Sequence, residues 1–428
     1  MAASIKILFL TENFPPETNA AATRVFERAC YWIKAGHQVT IITTTPNFPN
    51  GIVFPGYKNR WWQVENMRGI RVIRVKTYIA SNQGVIRRTL DFLSFMVMGI
   101  LGGLFEAKPD VVVSTSPQFF AAVAGWILAG LRRVPFVFEL GDLWPASIAA
   151  VGIMRPGIVL RLIEKLELHL YARAESVVSL TYSFKTNLMM RGINQNKIAV
   201  IPNGVDLWRY GARDRDIDLA RQWDTNGYFI IGYVGTHGMA HALGNILDAA
   251  EILRNFEKIR FLLVGAGAER EQLVFDAKKR CLNNIIFMPS QPKITMPSVW
   301  SLCDIALVHL KDDAVFAGVI PSKIFEAMAM GLPILMSVPE GEASQIILSE
   351  KAGLCIPPEN AQVLADTIID LSKDSIKLKI LAENSLAAAH HYSRESQAHH
   401  MILVLEQAVK RRGHEVSCLL SDKVGDRS

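Results

Sequence analysis

Apolar residues along this chain follow two alternating patterns. Ile5 to Leu10 is an unbroken apolar run, the signature of a parallel strand covered on both faces. A loop with Pro15 and Pro16 follows, then helical spacing from Ala21 to Lys34, a stop at Gly36, and a second strand at Gln38 to Thr43. That is a β-α-β unit, and its crossover is expected to be right-handed. The alternation predicts further strands at Val72 to Val75, Val111 to Ser114, Pro135 to Leu140, Ser176 to Leu180 and Ile198 to Ile201, with helices over Phe119 to Leu131 and Ile158 to Ala172. A polar stretch, Asp206 to Gly227, interrupts the pattern and reads as a junction. A second series begins beyond it. Strands are expected at Phe229 to Val234, Arg260 to Val264, Ile285 to Met288, Ile305 to Val308 and Pro333 to Met336. Helices are expected over Leu243 to Asn255, Glu269 to Arg280, Ser298 to Leu302, Lys323 to Met330 and Ala361 to Leu371, with a closing helix over Arg394 to Arg412 and frayed residues after it. The fold class is therefore α/β: two doubly wound domains, residues 1–205 and 206–393, with the closing helix 394–412 packing back on the first. In open α/β sheets ligands bind at the carboxyl ends of the strands, so a cleft between two such edges is expected to hold a small molecule.

Composition changes this picture little. Half of the 428 residues are hydrophobic and a fifth are charged, enough to build two cores and too few charges for disorder. The net charge of +6 suits a phosphate-bearing substrate or an anionic membrane and selects neither. Five scattered cysteines show neither disulfide nor zinc spacing and indicate a reducing compartment. The strand pattern starts too early for a signal peptide. Phe92 to Phe105 and Phe119 to Leu131 are apolar but shorter than the ~20 residues that span a bilayer, so both read as buried or interfacial helices. Arg68, Arg71, Arg74, Lys76, Arg87 and Arg88 gather just before the first of them.

Several segments carry candidate chemistry. Gly235-Thr236-His237-Gly238 follows the first strand of the second series, where glycines and a helix start can receive a phosphate, or can simply make a tight turn. Gly265-Ala266-Gly267 is a lone Gly-x-Gly. It lacks the third glycine and distal acid of a dinucleotide fingerprint, so no NAD and no other cofactor is expected. In Pro321-Ser322-Lys323, Ser322 is the expected helix cap and Lys323 sits at the helix end that disfavours a cation, a cost a bound phosphate would offset. Glu326 lies one turn on, where it either forms an exposed pair with Lys323 or serves a ligand. Asp214 to Asp218 contains two Asp-x-Asp patterns, but in the polar junction rather than at a strand end, so no metal is expected. No nucleic-acid motif or phosphate loop is present.

Together these segments resemble the retaining family-4 glycosyltransferases of GT-B fold, over nearly the whole chain. Phe14-Pro15-Pro16 with Ala20 to Phe26 is similar to the family's first acceptor-side loop and helix, and Gly36-His37-Gln38-Val39 to its second strand. Ile201-Pro202-Asn203-Gly204-Val205-Asp206 resembles its interdomain "PNGVD", and Phe325 to Pro333 its "EAMAxGxP" hallmark. Within the family, Phe54 to Lys58 and Asp142-Leu143-Trp144-Pro145 look most like N-acetyl-L-fucosamine transferases of O-antigen and capsule assembly. The resemblance implies a UDP-sugar bound by Glu326 at its ribose, with Pro321, Ser322, Lys323, Gly235, Thr236, His237, Gly238, Gly265 and Gly267 around the nucleotide and diphosphate. It implies acceptor contacts from Asn19, Ala20 and Arg24, with Glu139 and Asp142 as the polar groups nearest the chemistry. It also implies an undecaprenyl-diphosphate-linked acceptor and a cytoplasmic enzyme peripheral on the inner face of the membrane. Two positions depart from the family pattern: Gly318 replaces a usual Glu, and Gly141 a usual His. A nucleotide-sugar 2-epimerase and a non-catalytic sugar-nucleotide-binding subunit are the alternatives.

Overall fold

The computed structural model describes residues 4–48, 50–80, 85–116, 118–143 and 157–425. They form two compact units, one of Met1–Pro202 with Glu395–Ser428, the other of Asn203–Arg394.

In the first unit the elements run β1 (Lys6–Leu10), α1 (Ala20–Lys34), β2 (Gln38–Thr44), β3 (Trp62–Met67), β4 (Ile70–Val75), α2 (Val85–Phe105), β5 (Val111–Thr115), α3 (Phe119–Arg132), β6 (Phe136–Leu140), α4 (Ile158–Arg173), β7 (Ser176–Ser179), α5 (Tyr182–Met190) and β8 (Ile198–Val200). The sheet order is β3-β4-β2-β1-β5-β6-β7-β8. All neighbours are parallel except β3, which turns back on β4 as an antiparallel edge. The alternation Trp62-Gln63-Val64-Glu65 of β3 belongs to a half-exposed edge strand, and the pattern of continuous apolar runs does not find it. The central strands β5 (VVVST) and β6 (FVFEL) are buried throughout, polar Ser114, Thr115 and Glu139 included, as strands covered on both faces are. α2 starts before the apolar stretch read from sequence and has 21 residues. Its Arg87–Phe105 portion is, by length and composition, apolar enough to cross a membrane. In the fold it lies over the sheet: Phe95 is buried, and Gly99 and Gly102 face Leu10 and Val75.

The second unit contains α6 (Ile217–Gln222), β9 (Phe229–Val234), α7 (Gly244–Ile252), β10 (Ile259–Val264), α8 (Arg270–Lys279), β11 (Ile285–Met288), α9 (Met296–Ser301), β12 (Ile305–His309), α10 (Lys323–Ala329), β13 (Ile334–Ser337), α11 (Glu342–Ser349), β14 (Gly353–Ile356), α12 (Ala361–Lys373) and α13 (Ser375–Ala389). Its all-parallel order, β11-β10-β9-β12-β13-β14, reverses direction between β9 and β12. That reversal is the switch point at which a doubly wound sheet opens a crevice for a ligand. The junction read from sequence contains α6, capped by the Asp216 side chain, while Arg215 pairs with Asp304 at 2.8 Å. The charge run therefore ties the start of the unit to its sheet. The last helix, α14 (Arg394–Gly425), runs beyond Arg412 and rejoins the first unit, where Trp32 Nε1 donates to the Ala398 carbonyl at 2.9 Å.

Candidate functional site

The second unit gathers its sequence-predicted residues at the switch point. β9 ends at Val234 and β12 at His309, so the Gly235–Gly238 turn and His309 stand at adjacent strand ends. The turn pairs with the one after β10: Gly235 N–H donates to Val264 O and His237 N–H to Ala266 O, both at 2.9 Å. Two of the backbone donors expected for phosphate are thus engaged in holding the turns together. Glycine is required for that approach. A Cβ on Gly265 would stand 1.8 Å from the Gly235 carbonyl oxygen, and one on Gly267 2.2 Å from that of His237. The Gly-x-Gly is there for packing.

Packed against these turns is a set of cation-capable groups. Lys323 Nζ is shielded from water, has no hydrogen-bond partner, and lies 3.7 Å from the Tyr233 ring centroid. Burial lowers its pKa to about 7, partly opposed by the charge of Glu326. Both ring nitrogens of His237 are buried and unpartnered, and burial, then the charges of Arg270 and Lys323, lower its pKa to about 4. His241 and His309 are likewise lowered to about 4, chiefly by burial. His309 is held between the His241 carbonyl at 2.7 Å and Asn245 at 2.9 Å. Buried, unsatisfied cationic and imidazole groups cost stability unless an anion joins them.

One expectation about α10 needs correction, and the two readings of Lys323 and Glu326 are separated. Ser322 occupies the N-cap position but its side chain makes no capping bond, because its backbone is already helical. Lys323 and Glu326 do not form an exposed pair; both point into the unit, and Pro321 supplies only a backbone carbonyl, to Ile324 N–H. Glu326 is bound instead by Lys293 at Oε1 and by Trp300 Nε1 at Oε2, the latter at 3.2 Å. Burial pushes its carboxyl up, but the Lys293 ammonium overrides this and holds it below the ordinary range.

In the first unit, Asn19 caps α1, accepting from Ala22 N–H at 2.9 Å, and Ala20 is the first residue of that helix. Arg24 and Glu139 are joined rather than free. Glu139 is fully buried at the end of β6, paired with Arg28 at 2.5 Å and Arg24 at 3.0 Å. Burial alone would raise its pKa; the two guanidinium charges bring it below normal. A carboxylate so held is poorly suited to proton transfer, and its geometry is that of a structural anchor. Asp142 stands at the edge of the described residues, its carbonyl accepting from Ser116 Oγ at 3.4 Å, while Trp144 and Pro145 lie outside them. At Gly141 a Cβ would meet the Ser116 carbonyl at 2.4 Å, so the usual histidine does not fit this backbone. The basic cluster also needs correction. Arg74 is buried against Glu65, Arg71 is paired with Glu106, and Lys76 stands over the Trp61 ring.

Comparison with known proteins bears on this geometry. Residues 19–204 match the family described as glycosyl transferase 4-like domain, and residues 216–387 match glycosyl transferases group 1. The chain is a glycosyltransferase of GT-B fold, with a 4-like domain followed by a group 1 domain. Among relatives of this glycosyltransferase is WcaI of Escherichia coli (strain K12), provisionally named a colanic acid biosynthesis glycosyl transferase, 26% identical over 84% of this chain and 90% of the relative. A GDP-mannose-dependent alpha-mannosyltransferase of Mycobacterium tuberculosis is 23% identical over 89% of this chain and 92% of its own length. Among solved structures, HepE of Anabaena with UDP-glucose superposes with a TM-score of 0.71 at 17% identity, covering 94% of this chain and 100% of that one.

For this glycosyltransferase, sequence reasoning does not reach Lys293, Trp300, Tyr210, His309 or Glu12. Lys293 lies 33 positions from its partner Glu326 in no motif. Glu12 follows β1 in the first unit, buried, with Oε1 unpartnered and its pKa raised by burial and by Asp91. It is a strongly perturbed carboxyl, and local sequence carries no sign of it.

Proposed function

We propose that the protein transfers a hexosyl or N-acetylhexosaminyl residue from a UDP-sugar to a lipid-linked sugar acceptor, with retention and without a metal, in bacterial surface polysaccharide assembly. The observation that carries this reading is the arrangement on the first turn of α10. An ionised carboxylate, Glu326, stands one helical turn from a buried amine without a hydrogen-bond partner, Lys323, which an anion would charge. That is a matched pair of groups for the ribose diol and the diphosphate of one nucleotide. Lys323 and His237 meet the leaving diphosphate, and stabilisation of that developing charge is the main catalytic task in sugar transfer. The acceptor hydroxyl attacks on the face the diphosphate vacates. Asn203–Arg394 then serves as the sugar-donor unit, and the first unit as the acceptor side.

The polysaccharide setting is supported by the name of the E. coli relative, and UDP by the ligand of the Anabaena structure. The look of an N-acetyl-L-fucosamine transferase in Phe54 to Lys58 extends the reading to a 6-deoxy amino sugar. A peripheral place on the inner membrane face is supported by α2. Leu90, Val97, Leu101, Leu104 and Phe105 are exposed at helical spacing, and the half-exposed Trp62 ring packs edge-on against Phe105. With much of the basic cluster paired, this apolar stripe carries the membrane reading.

The test is calorimetry with UDP and GDP on parent and Glu326→Ala. A carboxylate bound to a diol contributes about 1.5–3 kcal/mol, so the variant should lose about 10- to 150-fold in affinity while still melting as a folded protein. Unchanged affinity would remove Glu326 from the site. Transfer assays should proceed in EDTA; loss of activity restored by Mg²⁺ or Mn²⁺ would overturn metal independence.

A further inference from the structure

Glu326 is bound in a way that the proposed nucleotide contact does not require. Its carboxylate is met at Oε1 by Lys293, which comes from the Pro289–Thr295 segment between β11 and α9, and at Oε2 by the indole N–H of Trp300 on α9. The Tyr210 hydroxyl also faces it, and the Lys293 ammonium lies 5.7 Å from the Tyr210 ring centroid. Three separate segments thus converge on one side chain. A carboxylate offers four lone-pair sites, so donors from Lys293, Trp300 and Tyr210 leave one open to a ribose hydroxyl. The Lys293 side chain is 30% exposed and that of Glu326 14%, so the pair is reachable from solvent at one side.

We propose that Lys293 is a positioning residue for nucleotide binding, which keeps Glu326 ionised and aims its free lone pair at the ribose. The inference rests on Glu326 being the ribose ligand and adds how that ligand is maintained. A carboxyl at the rim of an apolar core protonates unless a cation opposes burial, and a protonated carboxyl has lost acceptor capacity. Lys323 also faces Glu326, but burial lowers its own charge near neutral pH, so it cannot replace Lys293. Trp300 and Tyr210 orient the carboxylate and supply no charge. In the parent, Glu326 stays ionised across the neutral range. In Lys293→Met the counter-charge is gone, burial raises the carboxyl, and protonation sets in as pH falls.

The experiment measures dissociation constants of UDP and GDP, and of their 2′,3′-dideoxy analogues, from pH 5.5 to 8.5 for parent, Lys293→Met, Lys293→Gln and Lys293→Arg. The variant-to-parent ratio at each pH removes titration common to both proteins, and the dideoxy analogues register any change at Lys323 that follows from the charge of Glu326. For the ribose nucleotides that ratio should worsen toward acid by about tenfold per pH unit at most, the limit for one proton. The dideoxy analogues should show no such slope, and Lys293→Arg should restore parent behaviour. A flat ratio, an equal loss for the dideoxy analogues, or tighter binding in Lys293→Met would overturn the proposal. If Lys293→Met loses its cooperative melting transition, Lys293→Gln decides by the same ratios. Insensitivity of Glu326→Ala itself would mean that the nucleotide reading has failed; a sensitive Glu326→Ala with inert Lys293 variants would sink this inference alone.

Discussion

Lys323 and Glu139 are both buried charge-bearing side chains, and the fold treats them in opposite ways. Lys323 lacks a bonded partner, and its pKa falls from 10.5 to about 7 through burial. A diphosphate would restore the charge, so binding should take up a proton above pH 7. Affinity for UDP should therefore weaken as pH rises past 7, by up to about tenfold per unit. Calorimetry in buffers of different ionisation enthalpy reads the proton directly; no uptake at pH 8 would exclude Lys323 from the diphosphate site. The protein without nucleotide follows the same linkage. The unfolded lysine binds its proton up to a higher pH than the folded one, so stability declines as pH falls from about 10.5 toward 7 and levels off below. Glu139 is the reverse case, a carboxyl held low by Arg28 and Arg24. Its contribution is complete above the ordinary carboxylate range and is lost as pH falls through and below it. Glu139→Gln removes the carboxylate that Arg28 and Arg24 share, at a cost of about 3–5 kcal/mol. Chemical denaturation should show that loss; a stable but inactive variant would instead return Glu139 to the chemistry.

Among the elements, the decisive feature is how two strand-end turns close against each other. The turns after β9 and β10 share backbone hydrogen bonds and leave no room for a Cβ at Gly265. Gly265→Ala should therefore displace the Gly235–Gly238 turn and with it His237, whose pKa already registers the nearby Lys323 charge. The expected result is a lower melting temperature together with weakened UDP binding, measured by thermal shift with and without nucleotide. Parent-like behaviour would mean that the turns can separate freely. Pro321-Ser322 and Gly331 bracket α10 in the sequence; Gly331, at positive φ, closes the C-terminal end with Leu332 N–H donating to the Ala327 carbonyl, whereas the side-chain cap at the N-terminal end does not form. A serine caps by side chain only when its backbone is extended, and the backbone of Ser322 is set by the turn that precedes it.

For the molecule as a whole, the exposed stripe of α2 sets a further expectation. The protein should float with liposomes containing anionic lipid, and flotation should largely survive high salt, because Arg71 and Arg74 are already paired within the protein. Changing Leu90 and Leu101, which flank Val97 on the stripe, to Ser should abolish flotation. Failure of the folded parent to float at any salt would remove the membrane from the reading.

Local pattern is enough for the order of most strands and helices, the two α/β series and the family resemblance. These rest on periodicity within short windows and on motifs such as Pro202-Asn203-Gly204 and Glu326 to Pro333. The same windows place Lys323 and Glu326 on one helix turn. They do not reach the antiparallel edge strand β3, whose alternating pattern is weak, or the partners of the charged residues. Those partners follow from tertiary structure alone. Lys293 reaches Glu326 across 33 positions, and Arg28 reaches Glu139 across 111. Which buried charge is matched and which is left for a ligand depends on desolvation and on distances between segments remote in the chain, and neither quantity is encoded in local pattern.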